Sequence, residues 1–130
     1  MKLKVVILFG VLTWVGLSSG ARADYHSKVV VATAYNAVPS QADGSPWVGA
    51  CGERLDLAKH PIAASPDLFE KGLDCGTEVA LEGRQAEYIV EDKMAEHHEG
   101  RIDLFMGKNL EQAKAFGERR MRIWWYDDGQ

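Results

Sequence analysis

Short runs of β-branched and apolar residues, each closed off by glycine, proline or aspartate, most narrow the folds open to this chain. Residues 28–35 read Lys-Val-Val-Val-Ala-Thr-Ala-Tyr, apolar on both faces, the pattern of a buried strand. Residues 36–50 are rich in Pro, Gly, Ser and Asp and read as a long loop, a length that in a small domain often carries function. Residues 54–57 read as the beginning of another strand, and 61–64 as a short apolar one. Ser65, Pro66 and Gly72 then mark a helical turn, as N-cap, first helical residue and stop. Residues 77–82 alternate with Val79 and Leu81 on one face, 83–85 turn, and 86–90 return as the second arm of a hairpin. After a polar loop at 94–100 comes a strand at 102–105. Asn109 caps a helix, with Gln112 completing a capping box, Leu110, Ala113 and Phe116 as the apolar stripe, and Gly117 as the stop. The last strand, 120–126, points Met121, Ile123 and Trp125 one way and Arg122, Trp124 and Tyr126 the other. About six strands and one or two short helices predict a mainly β domain, built as a small barrel.

The N-terminal residues stand apart from this pattern. Lys2 and Lys4 precede an almost wholly apolar stretch at 5–17, and Ala21-Arg22-Ala23 is a small-x-small cleavage site. The apolar run is short for a membrane span. Residues 1–23 are therefore expected to be a signal peptide and 24–130 the domain, with an uncleaved anchor as the alternative. No cysteine lies at or before the cut, which argues against lipidation. Removing 23 of 130 residues leaves 107, one domain by length. The formal charge of −4 loses three cations with the leader and becomes −7. Such a charge excludes nucleic acid and anionic lipid as natural partners, and no stable membrane insertion is expected after cleavage. The expected location is secreted or periplasmic. Cys51 and Cys75 both lie in the exported part, where two cysteines argue for one disulfide; free thiols or metal ligands are the alternatives.

Two carboxylates stand out. Asp103 sits between Ile102 and Leu104, and in a strand those two share one face while Asp103 shares the other with Phe105. A carboxyl beside an aromatic ring loses hydration, and its pKa rises toward the range of a general acid. Asp92 closes a second apolar run eleven residues upstream. The structural alternative is that either pairs with Arg101, Arg119 or Arg122 and merely holds a loop. His97-His98 lacks the helical spacing and third ligand of a metal site, so no metal or cofactor is expected. Trp47, in the long loop, is placed either to stack on a ligand or to tuck down as a lid over the core.

Several segments in order, Val31-Ala32-Thr33-Ala34-Tyr35, Pro61-Ile62-Ala63-Ala64-Ser65-Pro66, Cys75-Gly76-Thr77-Glu78-Val79, Val90-Glu91-Asp92, Gly100-Arg101-Ile102-Asp103-Leu104-Phe105 and Ala113-Lys114-Ala115-Phe116-Gly117, resemble the three-aspartate (3D) domain family. The resemblance runs from residue 29 to about 125. That family is similar to the C-terminal domain of membrane-bound lytic transglycosylase A and, more distantly, to rare lipoprotein A. The resemblance implies a double-psi β-barrel acting on peptidoglycan glycan strands. It implies a lytic transglycosylase reaction on the β-1,4 bond between N-acetylmuramic acid and N-acetylglucosamine, with a 1,6-anhydro product. Asp103 matches the third aspartate and would be the acid and base; Asp92 matches the second and would position Asp103 and hold its pKa high. Thr33 and Tyr35 would supply hydroxyls to the sugar or to Asp103, and Trp47 a stacking wall. The first aspartate of the pattern falls at Ser65, and its Thr-Gly-Gly is Lys93-Met94-Ala95 here. A non-catalytic peptidoglycan-binding module and a hydrolase on another polysaccharide therefore stand as rival readings.

Overall fold

A computed structural model describes residues 24–38 and 45–127. The expected signal peptide at 1–23 lies outside the described residues. Six strands, β1 (Asp24–Tyr35), β2 (Pro61–Ala64), β3 (Glu78–Leu81), β4 (Glu87–Lys93), β5 (Arg101–Phe105) and β6 (Arg119–Asp127), alternate with two short helices, α1 (Pro66–Glu70) and α2 (Leu110–Phe116). The strands close into a barrel in the order β1-β5-β2-β4-β3-β6. β1·β5 and β2·β4 run parallel and the other four neighbours antiparallel. Exchanging β1, β2 and β3 for β4, β5 and β6 reproduces every neighbour and its direction, and a helix follows both β2 and β5. This pseudo-two-fold arrangement is the double-psi barrel. Its axis passes between β2 and β5 on one wall and between β3 and β6 on the wall opposite.

Alternation sorts the side chains. Ala32, Ile62, Ala64, Val90, Ile102 and Ile123 are fully buried in the barrel, and Leu68 of α1 and Phe116 of α2 join the same core. Trp125 is buried with its indole N–H donated to the Lys71 carbonyl at 3.1 Å, which satisfies its polar atom. A second, smaller cluster lies outside the barrel, where Ala37, Leu55 and Phe105 pack with Tyr35 and Trp47.

Several local expectations change; β1, for one, begins at Asp24, four residues before the expected 28. Residues 54–57 form no strand: Arg54 makes an isolated bridge with Val48, and Leu57–Lys59 is a 3-10 turn. The Asp56 side chain accepts the Ala58 N–H at 3.0 Å, and this local bond outcompetes extension. In α2, Asn109 accepts the Gln112 N–H at 2.9 Å as a cap, but its own N–H goes to the Met106 carbonyl, so only half of the capping box forms. Leu110 is 62% exposed, so the buried contact of this helix falls to Phe116. β4 runs three residues past the expected 90, through an irregularity that shapes the site.

Cys51 and Cys75 form a disulfide, which ties the long loop to the turn before β3. A disulfide belongs to an oxidising compartment. No helix among the described residues is long and apolar enough to cross a membrane.

Candidate functional site

Four registered residues lie in one row across four neighbouring strands. Thr33 of β1 pairs with Asp103 of β5, Asp103 with Ala63 of β2, and Ala63 with Asp92 of β4. Registered partners present side chains on the same face, here the outer face of the barrel. The two aspartates are two strand spacings apart at their Cα atoms, about 9–10 Å. Ala63 is the floor between them, and at 4% exposure it is covered although it faces outward.

A β-bulge puts Asp92 in this row. The register shifts between Ile62, paired with Val90, and Ala63, paired with Asp92, so Glu91 is the extra residue. Without it, alternation would turn Asp92 toward the core beside Val90. Glu91 itself is buried, and burial raises its pKa, with the Glu53 carboxylate adding and Lys59 opposing. The long loop sits directly on the bulge. A Cβ on Gly49 would fall on the Glu91 carbonyl oxygen, so only glycine lets the loop approach this closely.

The carboxylates are held differently. Asp92 Oδ1 accepts the N–H groups of Ala50 at 2.7 Å and Lys93 at 2.9 Å, and Oδ2 accepts the Tyr35 hydroxyl at 3.0 Å. Asp103 accepts one hydrogen bond, from the Thr33 hydroxyl to Oδ1 at 3.0 Å. Burial raises the Asp103 pKa; the Thr33 bond and the Arg101 charge pull it down, and the Asp92 charge adds a smaller upward push. Burial likewise raises the Tyr35 pKa, reinforced by Asp92, so its hydroxyl stays a donor. Among the described residues no arginine lies within ion-pair distance of either aspartate, and Asp92 holds the loop through the Ala50 N–H instead.

One step along the strands, on the same face, Tyr35 pairs with Phe105, their rings 5.2 Å apart. Trp47 stands edge-on to Phe105 at 5.3 Å, with the Arg54 guanidinium 5.4 Å from its ring centre. Trp47 is thus seated on the outer aromatic cluster beside the row. Thr33 and Tyr35 do bring hydroxyls to the site, one to each aspartate. Asp92 does not contact Asp103, and the group that positions Asp103 is Thr33.

Ser65 stands at the N-cap position of α1, yet its side chain does not cap the helix. Fully buried, its hydroxyl donates to Asp67 Oδ1 at 2.6 Å and accepts the Arg101 N–H at 3.0 Å. Both Asp67 oxygens take the Gly100 N–H, at 3.1 and 3.0 Å. The pair clamps the start of β5 two residues before Asp103. Only the structure reveals this role; the sequence signal was a serine where an aspartate was expected. An aspartate at 65 would set a second carboxylate against Asp67. Ser65→Ala should cost about 1–3 kcal/mol in urea unfolding, the penalty of buried polar groups left unpaired. An unchanged unfolding midpoint would show that the clamp does not hold β5.

No three metal-ligating side chains converge among the described residues. The rings of His97 and His98 lie 4.0 Å apart and contact each other.

No family model and no curated protein matches this chain. Solved structures are similar in fold, among them the following three. The apo form of a Clavibacter michiganensis expansin shares 19% identity at a TM-score of 0.49, over 78% of this chain and 49% of that one. An aspartate-to-asparagine variant of that expansin in complex with cellohexaose shares 16% identity at 0.47, with the same coverage. A Streptomyces papain inhibitor shares 23% identity at 0.46, over 78% of this chain and 94% of its own. The chain spans about half the length of the two expansin structures.

Proposed function

We propose that this domain acts in the cell envelope on the glycan strands of peptidoglycan, by a lytic transglycosylase reaction with Asp103 as its single acid and base. The observation that carries this reading is the unequal treatment of the two carboxylates. Asp92 is committed to three donors from the loop, β4 and Tyr35. Asp103 keeps one hydrogen bond and a pKa raised by burial. Glycosidases that use water or a covalent adduct need two working carboxylates. A reaction in which the substrate supplies its own nucleophile needs one.

Asp103, protonated, donates its proton to the glycosidic oxygen as the bond from that oxygen to the muramoyl C1 breaks. The resulting carboxylate takes the proton from the C6 hydroxyl of the same sugar. That oxygen bonds to C1, closing the 1,6-anhydro ring and restoring the acid. Thr33 keeps Asp103 in orientation through both steps. Tyr35 and Trp47, both partly exposed and backed by the buried Phe105, offer aromatic surface along the row for the neighbouring sugars.

Purified protein incubated with peptidoglycan sacculi should release anhydromuropeptides, identified by mass spectrometry. Products carrying an added water would instead indicate a hydrolase. The second reading, a binding module without catalysis, is favoured by the clamp, because Ser65 and Asp67 bring no third carboxylate to the row. Retention on sacculi with no released fragments would establish it.

A further inference from the structure

The opposite wall of the barrel carries a second row of registered residues. Ser27 of β1 pairs with Trp124 of β6, Trp124 with Ala80 of β3, and Ala80 with Glu87 of β4. One step along, Tyr25 pairs with Tyr126, their rings 4.7 Å apart. Both tyrosines are largely exposed, at 59% and 63%. These side chains stand on the face away from Ile123 and Trp125, which fill the core. Ala80 leaves one flank of Trp124 low, and on the other flank the Arg122 guanidinium donates to the Ser27 hydroxyl at 2.7 Å. A cavity of about 640 Å³ opens there, and its lining includes Tyr25, Trp124 and Tyr126 together with Asp74, Glu78 and Glu87.

We propose that this wall is a second glycan-binding site, which takes an uncharged sugar chain by stacking on Trp124, Tyr126 and Tyr25. Exposed aromatic faces present an apolar body beside polar groups, and sugars present the same mixture. The carboxylates select the class. Asp74, Glu78 and Glu87 line the one cavity, and Glu78 raises the pKa of its neighbour Glu87, so an anionic chain meets a cluster of acids and is repelled. An apolar protein partner would strip water from three acids, at high cost. Sugar hydroxyls can donate to those acids while leaving them in contact with water. The site is built on β1, β3, β4 and β6 and shares no side chain with the Asp103 row. It stands whether or not Asp103 cleaves anything.

The test is a titration of ¹⁵N-labelled protein with N-acetylglucosamine hexaose and with cellohexaose, followed through the tryptophan indole N–H signals. The Trp124 signal should shift and saturate, and should do so equally in Asp103→Asn. Trp124→Ala and Tyr126→Ala should each weaken binding about tenfold, as loss of one stacked ring predicts. Tyr126 is surface-exposed, so its removal leaves the core intact and keeps the test clear of unfolding. Both variants should cut short soluble glycans as the wild type does, if the wild type cuts them. A Trp124 signal that stays still while that of Trp47 moves would overturn the proposal. So would undiminished binding in both variants, or tighter binding of a sulfated hexasaccharide than of either neutral one.

Discussion

Asp103→Asn should abolish glycan cleavage, by about 10²–10⁴-fold, and should leave the protein folded and more stable at neutral pH. The amide keeps the shape and can still accept the Thr33 hydroxyl, but it cannot deliver and reclaim a proton. The stability gain follows from burial. Asp103 titrates higher in the folded chain than in the unfolded one. Its protonated form therefore stabilises the fold below the unfolded value, and that stabilisation fades as pH rises through the folded value. At neutral pH the ionised carboxylate opposes folding, and the neutral amide removes the opposition. The same titration sets an upper limit on activity, because the acid must carry its proton: turnover should fall as pH rises through the Asp103 value. Thermal melts of both proteins at pH 7 and a pH profile of the wild type check both halves. A less stable Asp103→Asn would mean that the carboxylate holds the barrel together.

The double variant Cys51→Ser/Cys75→Ser should lose about 3 kcal/mol of stability, as expected for opening a loop across the observed separation of 24 residues. It should also lose activity beyond what partial unfolding explains. Cys51 follows Ala50, whose N–H holds Asp92, and the disulfide anchors that segment over the bulge. Urea unfolding gives the first number, and cleavage assays well below the unfolding midpoint give the second. A loss under about 1 kcal/mol would show that Gly49 packing on Glu91 seats the loop by itself.

Where one face of a strand is buried, the sequence was legible residue by residue. Ile102 and Leu104 go inward and Asp103 outward as alternation requires, and Met121, Ile123 and Trp125 do the same in β6. Pro61–Ala64 has the expected bounds. With two cysteines, only one intramolecular pairing was open. The site was legible in its residue types and much less in its geometry. Counting along β4 places Asp92 in the core, and only the register with β2 shows that Glu91 bulges and turns it out. Ala63, the floor between the aspartates, has no chemistry to attract notice. Ser65 looked like a helix cap because caps are local, whereas its partner at Arg101 is 36 residues away. Trp47 was open to two placements because loop aromatics follow no period, and only the structure seats its ring edge-on to Phe105 beside the aspartate row.

The two-fold exchange of strands has a consequence for how the chain reaches this shape. All six seams of the ring join a strand of the first half, β1 to β3, to one of the second, β4 to β6. Neither half owns a sheet. Only β3 and β4 are neighbours both in the ring and along the chain; every other seam waits for distant segments to meet, which makes assembly slow for a chain of this size. An incomplete ring, whether nascent or clipped by a protease, shows two open strand edges, and such edges pair with other chains. Until the last seam closes, the molecule is exposed to aggregation, and the closing step guards against it as much as it completes the cleft.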